Sequence, residues 1–311
     1  MSAVLERPSG LTASPGAGRR KFKDRLATTL VTSAFLVAMI PLVWLLWTVF
    51  SKGISTVVSA SWWTSDQRGI DPAHGGGGVL HGIVGTIEQV ALCSLISVPI
   101  SVLVAIYLVE YGRGPIARTT TFMVDILSGV PSIVAALFVY AVFITTFHGQ
   151  RAGWLISIAL ILLMIPVIVR TTEEMLKLVP NELREASYAL GVAKWKTILR
   201  IVLPTAMSGI ITGVVLGVAR VAGETAPLLI LVGYSSNTNY NLFSGFQGSL
   251  PGMIYTQYGN LGSTTVLVNG VRKHVTFSAD RMWGTALTLI LIVMILNLVA
   301  RAIARRSKIS N

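Results

Sequence analysis

Apolar residues along this chain gather into six long runs, separated by segments rich in charged residues, glycine and proline. A helix of about 20 apolar residues crosses the ~30 Å hydrocarbon core of a bilayer. The pattern therefore predicts an all-α integral membrane protein with six transmembrane helices. The predicted spans cover residues 30–50, 85–108, 122–147, 154–169, 207–232 and 284–304. We interpret the first run as a retained helix, because it is too long for the apolar part of a signal peptide.

Composition agrees with a membrane protein, because 53% of the 311 residues are hydrophobic and only 12% are charged. A soluble domain carries about twice that charged fraction. The net charge of +12 does not indicate nucleic-acid binding, since the basic residues collect at the ends of apolar runs. The single cysteine, Cys93, lies inside an apolar run and the four histidines are scattered, so neither a disulfide framework nor a metal site is predicted.

Lysine and arginine predict the orientation, because cytoplasmic segments carry an excess of both. Eighteen lie in the N-terminal tail, the second-to-third connection, the segment 170–203 and the C-terminal tail, against six on the opposite side. Both termini are therefore expected in the cytoplasm. Residues 1–25 are expected to form a disordered basic tail, because their glycine, serine and proline content leaves too little apolar surface to fold.

The cytoplasmic segment of about residues 170–204 is far longer than a helix bundle needs for a turn. Asn181 followed by acidic residues predicts a helix start. Gly191 is suited to end that helix in a left-handed conformation. A second helix is expected to begin at Lys194 and to stop before Pro204, where a hydrogen-bond donor is missing. The segment is thus predicted to fold as helix, sharp turn and helix beneath the membrane.

Two segments on the opposite side are long enough to have structure of their own. The first, 51–79, contains Trp62 and Trp63, interpreted as anchors at the membrane interface, and the glycine run 75–78, interpreted as flexible. The second, about 233–283, contains two β-branched runs on either side of Asn269-Gly270, a strong hairpin signal. A small external β-hairpin is predicted there.

Charged residues inside the fifth span are the main candidates for a binding function. Arg220 and Glu224 are one helical turn apart, so they are expected to share a face, with Thr225 beside them. Charges at this depth are costly and usually pair or face a pathway. The pair is interpreted either as an anion path, where the planar fork of Arg220 matches two oxygens of an oxyanion, or as a structural ion pair. Arg170, at the end of the fourth span, is a further path candidate or a simple anchor.

Nucleotide binding is not predicted for this chain. A phosphate-binding loop needs spaced glycines before a Lys-Ser/Thr pair, and Gly191 is followed by Trp195 where the second glycine belongs before Lys196-Thr197. Asp125 and Glu110 lie near the cytoplasmic ends of their spans, where contact with water is the simpler interpretation. The chain is therefore expected to be a non-enzymatic membrane component.

Residues 185–191, Glu-Ala-Ser-Tyr-Ala-Leu-Gly, followed by Leu203-Pro204, resemble the EAA loop of type I ABC importer permeases. Residues 124–135, 165–174 and 222–228 are similar to the A-type permeases of phosphate-specific ABC transporters. The resemblance implies that residues 26–311 form a permease domain in a bacterial inner membrane. It also implies that Glu185, Ala186, Leu190, Gly191 and Pro204 couple this chain to an ATPase.

The same resemblance implies a set of partners and an ATP-driven activity. The partners would be a homologous C-type permease, two ATPase subunits that hold ATP and magnesium, and an external phosphate-binding protein. Alternating access to the two sides of the membrane would move phosphate. Two alternatives stay open at this point, namely a permease for sulfate or molybdate, and a passive anion channel or secondary carrier.

Overall fold

The structure is a computed structural model that describes residues 17–71, 74–261, 264–268, 271–275 and 277–309. The chain divides into two compact units, residues 1–50 and 51–311. The first unit is described by the helix α1 (Ala17–Val57), which is apolar and long enough to cross a membrane and which continues into the second unit. All other elements belong to the second unit.

The second unit is built almost wholly from helices. Its elements, in chain order, are α2 (Ala60–Thr64), α3 (Leu80–Ile106), the π-helix π1 (Tyr107–Tyr111), α4 (Gly114–Ser128), α5 (Ser132–Val139), π2 (Tyr140–Thr146), α6 (Gly153–Lys177), α7 (Asn181–Ala189), α8 (Lys194–Thr197), π3 (Ile198–Val202), α9 (Leu203–Ala222), α10 (Ala226–Leu231), α11 (Leu250–Gly259), β1 (Thr264–Val268), β2 (Val271–Val275) and α12 (Phe277–Ile309). We call the side that carries α7 the α7 side, and the side that carries β1 and β2 the hairpin side.

Five helical segments of the described chain are long and apolar enough to span a membrane, and a bent pair of helices makes a sixth when the pair is counted as one span. The bent pair covers the third predicted span, which is therefore not one helix. Its halves, α4 and α5, meet at an angle of 106°. The bend follows from Gly129, which ends α4, and from Pro131, whose ring cannot donate the hydrogen bond that would continue the helix.

The fifth predicted span, 207–232, is also broken. Helix α9 ends at Ala222 with Gly223 at its C-cap, and the chain resumes as α10 at Ala226 with Pro227 in its first turn. A Cβ added at Gly223 would meet, among the described residues, only the carbonyl of Arg220 at 3.6 Å. The role of Gly223 is to end the helix rather than to allow close packing.

Helix α6 lies at the centre of the second unit and packs against α3, α4, α5 and α9. The approach of α9 to α6 depends on three glycines spaced four residues apart, an arrangement that lets membrane helices come close. Gly209 faces Met175, Gly213 faces Thr171, and Gly217 lies against Ile168, where an added Cβ would sit 3.1 Å from the Ile168 side chain. The two helices are therefore antiparallel, and side chains of α6 pack directly against the glycine backbone of α9 along this stripe.

On the hairpin side, loops that are distant in sequence close over the helix ends. Trp62 was predicted to be an interface anchor, but it is 2% exposed and donates its indole N–H to the hydroxyl of Thr288 at 3.0 Å. Trp63 remains 37% exposed. Gly78 packs against the backbone of α2, so this part of the glycine run is held rather than flexible. Burial of the indole removes more apolar surface from water than an interfacial position would.

The predicted hairpin is confirmed by the antiparallel pairing of β1 with β2, in which Val266 lies opposite Lys273. Its turn, Asn269-Gly270, lies outside the described residues. The predicted disordered tail is wrong for residues 17–25, which belong to α1, because alanine, lysine and arginine favour the helix that the apolar run continues. Residues 1–16 of that tail also lie outside the described residues.

Candidate functional site

A cavity of about 240 Å³ opens between α4, α6 and α9, and two arginines line it. Arg170 reaches it from α6 and Arg220 from the last turn of α9. Ser128 and Thr171 add hydroxyl groups, and the rest of the wall is apolar, including Leu163 and Pro166. Two of the candidates predicted for an anion path therefore lie on one cavity, although they are 50 residues apart in sequence.

The broken spans shape this cavity. Val130, in the bend between α4 and α5, lies in its wall, and Arg220 lies in the last turn of α9, three residues before the C-cap Gly223. Beyond both breaks, the second halves α5 and α10 pack against each other. The glycine stripe of α9 brings Arg220 to the side of α6 that carries Arg170. Irregular backbone at membrane depth is tolerated where it lines such a cavity.

The two arginines differ in their partners. Within the described part of the chain, the Arg220 side chain makes no hydrogen bond or ion pair, and it is exposed. Arg170 forms ion pairs with Asp125 of α4 and, at 2.9 Å, with Glu173 of its own helix. The hydroxyls of Ser128 and Thr171 donate to backbone carbonyls of their own helices. Arg220 is therefore the arginine of the cavity that has no carboxylate partner among the described residues.

The predicted pairing of Arg220 with Glu224 is wrong. The helix ends at Ala222, so the one-turn spacing that would place both side chains on one face does not apply. Glu224 and Thr225 lie in the break before α10, and neither lines the cavity. The structure thus places the two arginines together and leaves the other two path candidates outside the site.

The segment on the α7 side has the predicted shape of helix, turn and helix. Gly191 adopts the left-handed conformation, with φ of +73°. The turn is closed by the amide of Gly191, which donates to the carbonyl of Tyr188 at 2.9 Å, and by a buried hydrogen bond of 2.8 Å between the hydroxyls of Ser187 and Thr197. Asn181 does not cap α7 but begins it, and its side chain accepts from Arg184.

The prediction that the second helix stops before Pro204 is wrong. The chain is helical from Lys194 to Ala222, because π3 changes the hydrogen-bond pattern immediately before α9 and places Pro204 in its first turn. A local π-helical turn inside a continuous helix accommodates the hydrogen bond that proline cannot make. The predicted coupling residues Glu185, Ala186, Leu190 and Gly191 are all exposed.

Several large apolar side chains on the α7 segment are exposed. Leu190 is 83% exposed, and Leu183, Tyr188, Trp195 and Leu199 are exposed as well. Several large apolar side chains exposed on one short segment indicate a contact with another protein or with lipid. We call these five residues the α7 apolar surface.

Sequence reasoning missed the contact that holds this segment to the membrane helices. Arg184 of α7 donates from Nε and Nη2 to one carboxylate oxygen of Glu110, at 3.1 and 2.9 Å. The side chains are only 13% and 5% exposed. Arg184 also donates to the carbonyls of Leu176 and Val179, so it joins π1, the end of α6 and α7. The sequence shows both charged residues, but it contains no local pattern that indicates a pair between residues 74 positions apart.

Comparison with known proteins agrees with this architecture. Residues 97–308 match the family model described as binding-protein-dependent transport system inner membrane component. The phosphate transport system permease protein PstA 1 of Mycobacterium tuberculosis (strain CDC 1551 / Oshkosh) is 51% identical over 285 residues, 92% of this chain and 90% of that protein. The PstA protein of Mycobacterium leprae is 48% identical over 96% of this chain and 94% of its own length. This chain belongs to the PstA permease family.

Solved structures show the fold of the permease. A chain of a bacterial alginate ABC transporter, solved with an alginate-bound periplasmic protein, superposes with a TM-score of 0.58 at 13% identity and covers 94% of this chain and 98% of its own. A chain of the inward-facing MetNI methionine ABC transporter gives 0.54 at 20% identity, covering 74% of this chain and 94% of its own. At these identities the likeness shows the fold alone.

The loops on the hairpin side of the permease are fixed by polar contacts. Asp66 accepts from the amide of Arg68 at 3.1 Å, and from the amide and hydroxyl of Thr238 at 3.2 and 3.3 Å. Burial alone would raise the pKa of Asp66, but these hydrogen bonds outweigh burial, and the pKa lies below its ordinary value. The carboxylate therefore ties the connection before α3 to the loop after α10.

Proposed function

We propose that this chain is a membrane permease subunit of an ATP-driven phosphate importer and forms half of the translocation path. The observation that carries the proposal is the cavity shared by Arg170 and Arg220. The chain that contains this cavity is 51% identical to a phosphate transport permease, and this supports phosphate as the anion. The other half of the path is supplied by a homologous C-type permease.

The chemistry of the cavity suits a tetrahedral oxyanion. A guanidinium keeps its charge at any physiological pH, and its planar donors match two oxygens of a phosphate group. Arg220 has no carboxylate partner among the described residues, so it is available to an incoming anion. The apolar remainder of the wall lowers the local dielectric constant and strengthens this attraction. We assign Arg220 as the first contact of the anion and Arg170 as the second.

Energy reaches the cavity from a separate ATPase. We infer that the α7 side is cytoplasmic, because the basic segments lie there. The α7 apolar surface then faces the ATPase, with Glu185 and Ala186 on the docking helix and Gly191 at its turn. ATP and magnesium are held by the two ATPase subunits. An external phosphate-binding protein delivers the anion from the hairpin side.

Alternating access has a physical basis in the broken spans. The bend at 129–131 and the break at 223–225 divide two spans into halves that can pivot, and both breaks adjoin the arginines. Movement of α7 by the ATPase is carried into the membrane through Arg184, which contacts π1 and the end of α6. Opening one side of the cavity while closing the other requires no unfolding of these helices.

The proposal is tested by reconstituting this chain in proteoliposomes with its C-type partner, the ATPase and the binding protein. Uptake of labelled phosphate should require ATP and magnesium, and sulfate and molybdate should not be taken up in its place. Uptake of sulfate or molybdate with equal efficiency would assign another oxyanion. Phosphate flux without the ATPase would indicate a passive channel or a secondary carrier and would refute the proposal.

A further inference from the structure

The two arginines of the cavity are not equally available to an anion. Arg220 is unpaired among the described residues, whereas both terminal nitrogens of Arg170 are occupied, Nη2 by Asp125 and Nη1 by Glu173. Each of these nitrogens keeps a second N–H, but an anion that binds Arg170 must share the charge and the donors of its guanidinium with two carboxylates, and therefore competes with them. Which carboxylate gives way can be read from their surroundings.

Glu173 is a fixed partner. Its side chain is 11% exposed, it lies on the same helix as Arg170, and its other oxygen accepts from Lys177 at 2.7 Å. Displacing it would leave a buried carboxylate that keeps only one of its two cationic partners. A buried charge that loses a partner in this way raises the free energy of the protein.

Asp125 is a partner of a different kind. Its side chain is 58% exposed, and it comes from α4, not from the helix of Arg170. Ser128, one turn further along α4, lines the cavity, and the bend between α4 and α5 follows directly. Water can solvate this carboxylate when it leaves Arg170, so its displacement costs little.

We propose that Asp125 competes with the transported anion for Arg170, and that this competition sets how readily the anion leaves the cavity. Two guanidinium groups would hold a phosphate dianion tightly, whereas a transport site must bind weakly enough to release. When Asp125 returns to Arg170, the anion keeps only Arg220 and escapes. The same exchange makes and breaks a contact between α4 and α6, so occupancy of the cavity is linked to the position of the broken third span. This inference rests on the proposed function.

The test uses the complete reconstituted transporter and phosphate itself as the probe. Phosphate on the ATPase side is expected to inhibit uptake by occupying the cavity from the product side. Asp125→Asn keeps the size of the side chain and removes its charge, and the inhibitory phosphate concentration should fall about fivefold, as expected for the loss of one exposed ion pair. Asp125→Glu retains the competitor and should behave as the wild type.

Glu174→Gln is the matched control, because Glu174 lies on α6 beside the network, is exposed, and does not touch Arg170. It removes the same charge without removing the competitor, so inhibition should not change. An equal effect in Glu174→Gln would show that the loss of any nearby negative charge strengthens inhibition, and would overturn the inference. Unchanged inhibition in Asp125→Asn would also overturn it. Failure of Asp125→Asn to assemble, with recovery in Asp125→Glu, would make the ion pair structural and overturn it too.

The outcomes separate the inference from the proposed function. If wild-type transporter takes up phosphate and is inhibited from the product side, the proposed function stands whatever Asp125→Asn does. If wild-type transporter takes up no phosphate, the proposed function fails before the variant is compared.

Discussion

Arg184 and Glu110 form a nearly buried ion pair between α7 and the end of the second span, with two nitrogens of the guanidinium on one carboxylate oxygen. Removing one member of such a pair leaves an unpaired charge, at a cost of about 3–5 kcal/mol. We therefore expect Glu110→Leu to lower the thermal stability of the purified complex markedly.

Replacing both members should restore that stability, because Glu110→Leu with Arg184→Met leaves neither charge behind. Glu182→Gln, on the exposed side of α7, should have no effect. Thermal unfolding of the three variants in detergent is the measurement. Equal stability of Glu110→Leu and the wild type would show that the pair contributes nothing to holding α7.

Gly191 tests whether the turn of the α7 segment needs its left-handed backbone. An added Cβ would meet nothing within 4 Å in the part of the chain that the structure describes, so we attribute any effect of substitution within this chain to the φ of +73°. A β-branched residue is strongly disfavoured there, and Gly191→Val should cost about 1–2 kcal/mol and misplace the docking helix.

Recovery of the ATPase in a pull-down through this chain should fall for Gly191→Val, while insertion into the membrane stays normal. Gly191→Asn is the control, because asparagine tolerates the left-handed region. Normal ATPase recovery together with normal phosphate uptake in Gly191→Val would contradict this prediction.

Arg220 is expected to serve the anion rather than the fold. No carboxylate is paired with it among the described residues, so Arg220→Gln leaves no unpaired charge behind, and the complex should assemble and hydrolyse ATP. Phosphate uptake should be abolished, because the cavity loses its guanidinium that is not already paired with a carboxylate. Arg118→Gln, an exposed arginine of α4, is the control for loss of charge. Near-normal uptake in Arg220→Gln, or in Arg220→Gln with Glu224→Gln, would exclude Arg220 from the path.

Gly213 tests the close contact of α9 with α6. A Cβ at this position would overlap the side chain of Thr171, so one helix must shift. Gly213→Ala should destabilise the protein by roughly 1–3 kcal/mol, the usual cost of overpacking, and should lower uptake by moving Arg220. Gly259→Ala, where a Cβ meets no atom of the described residues within 4 Å, is the matched control. Identical unfolding temperatures for the two variants would disprove close packing at Gly213.

The lowered pKa of Asp66 predicts that the stability of the loops on the hairpin side depends on pH. Its pKa is lowered in the folded protein, so it stabilises the fold above its unfolded pKa of about 3.9, and that contribution is lost as the pH falls through the folded value. Amide exchange at Thr238 should be faster in Asp66→Asn than in the wild type at neutral pH. The difference should vanish once the wild-type carboxylate is protonated. A difference that persists at that pH would rule out the ionised carboxylate as its cause.

The sequence by itself determined the features that depend on local pattern. Apolar runs of sufficient length predicted the spans, Asn269-Gly270 between two β-branched runs predicted the paired strands, and Gly191 predicted the left-handed turn, because each depends on neighbouring residues. The motif in residues 185–191 also sufficed to indicate the permease family, which the relatives then showed.

Only the tertiary structure decided which distant residues meet. Arg220 and Glu224 share a face only if the helix continues, and Gly223 with Pro227 ends it. The packing of α9 on α6 brings Arg220 to the cavity that Arg170 also lines. Arg184 forms an ion pair with Glu110, which is 74 residues away in sequence. Trp62 was assigned to the interface because its sequence neighbours do not reveal that α12 covers it. Such contacts are set by the free energy of packing all the helices at once, which no single segment of the sequence contains.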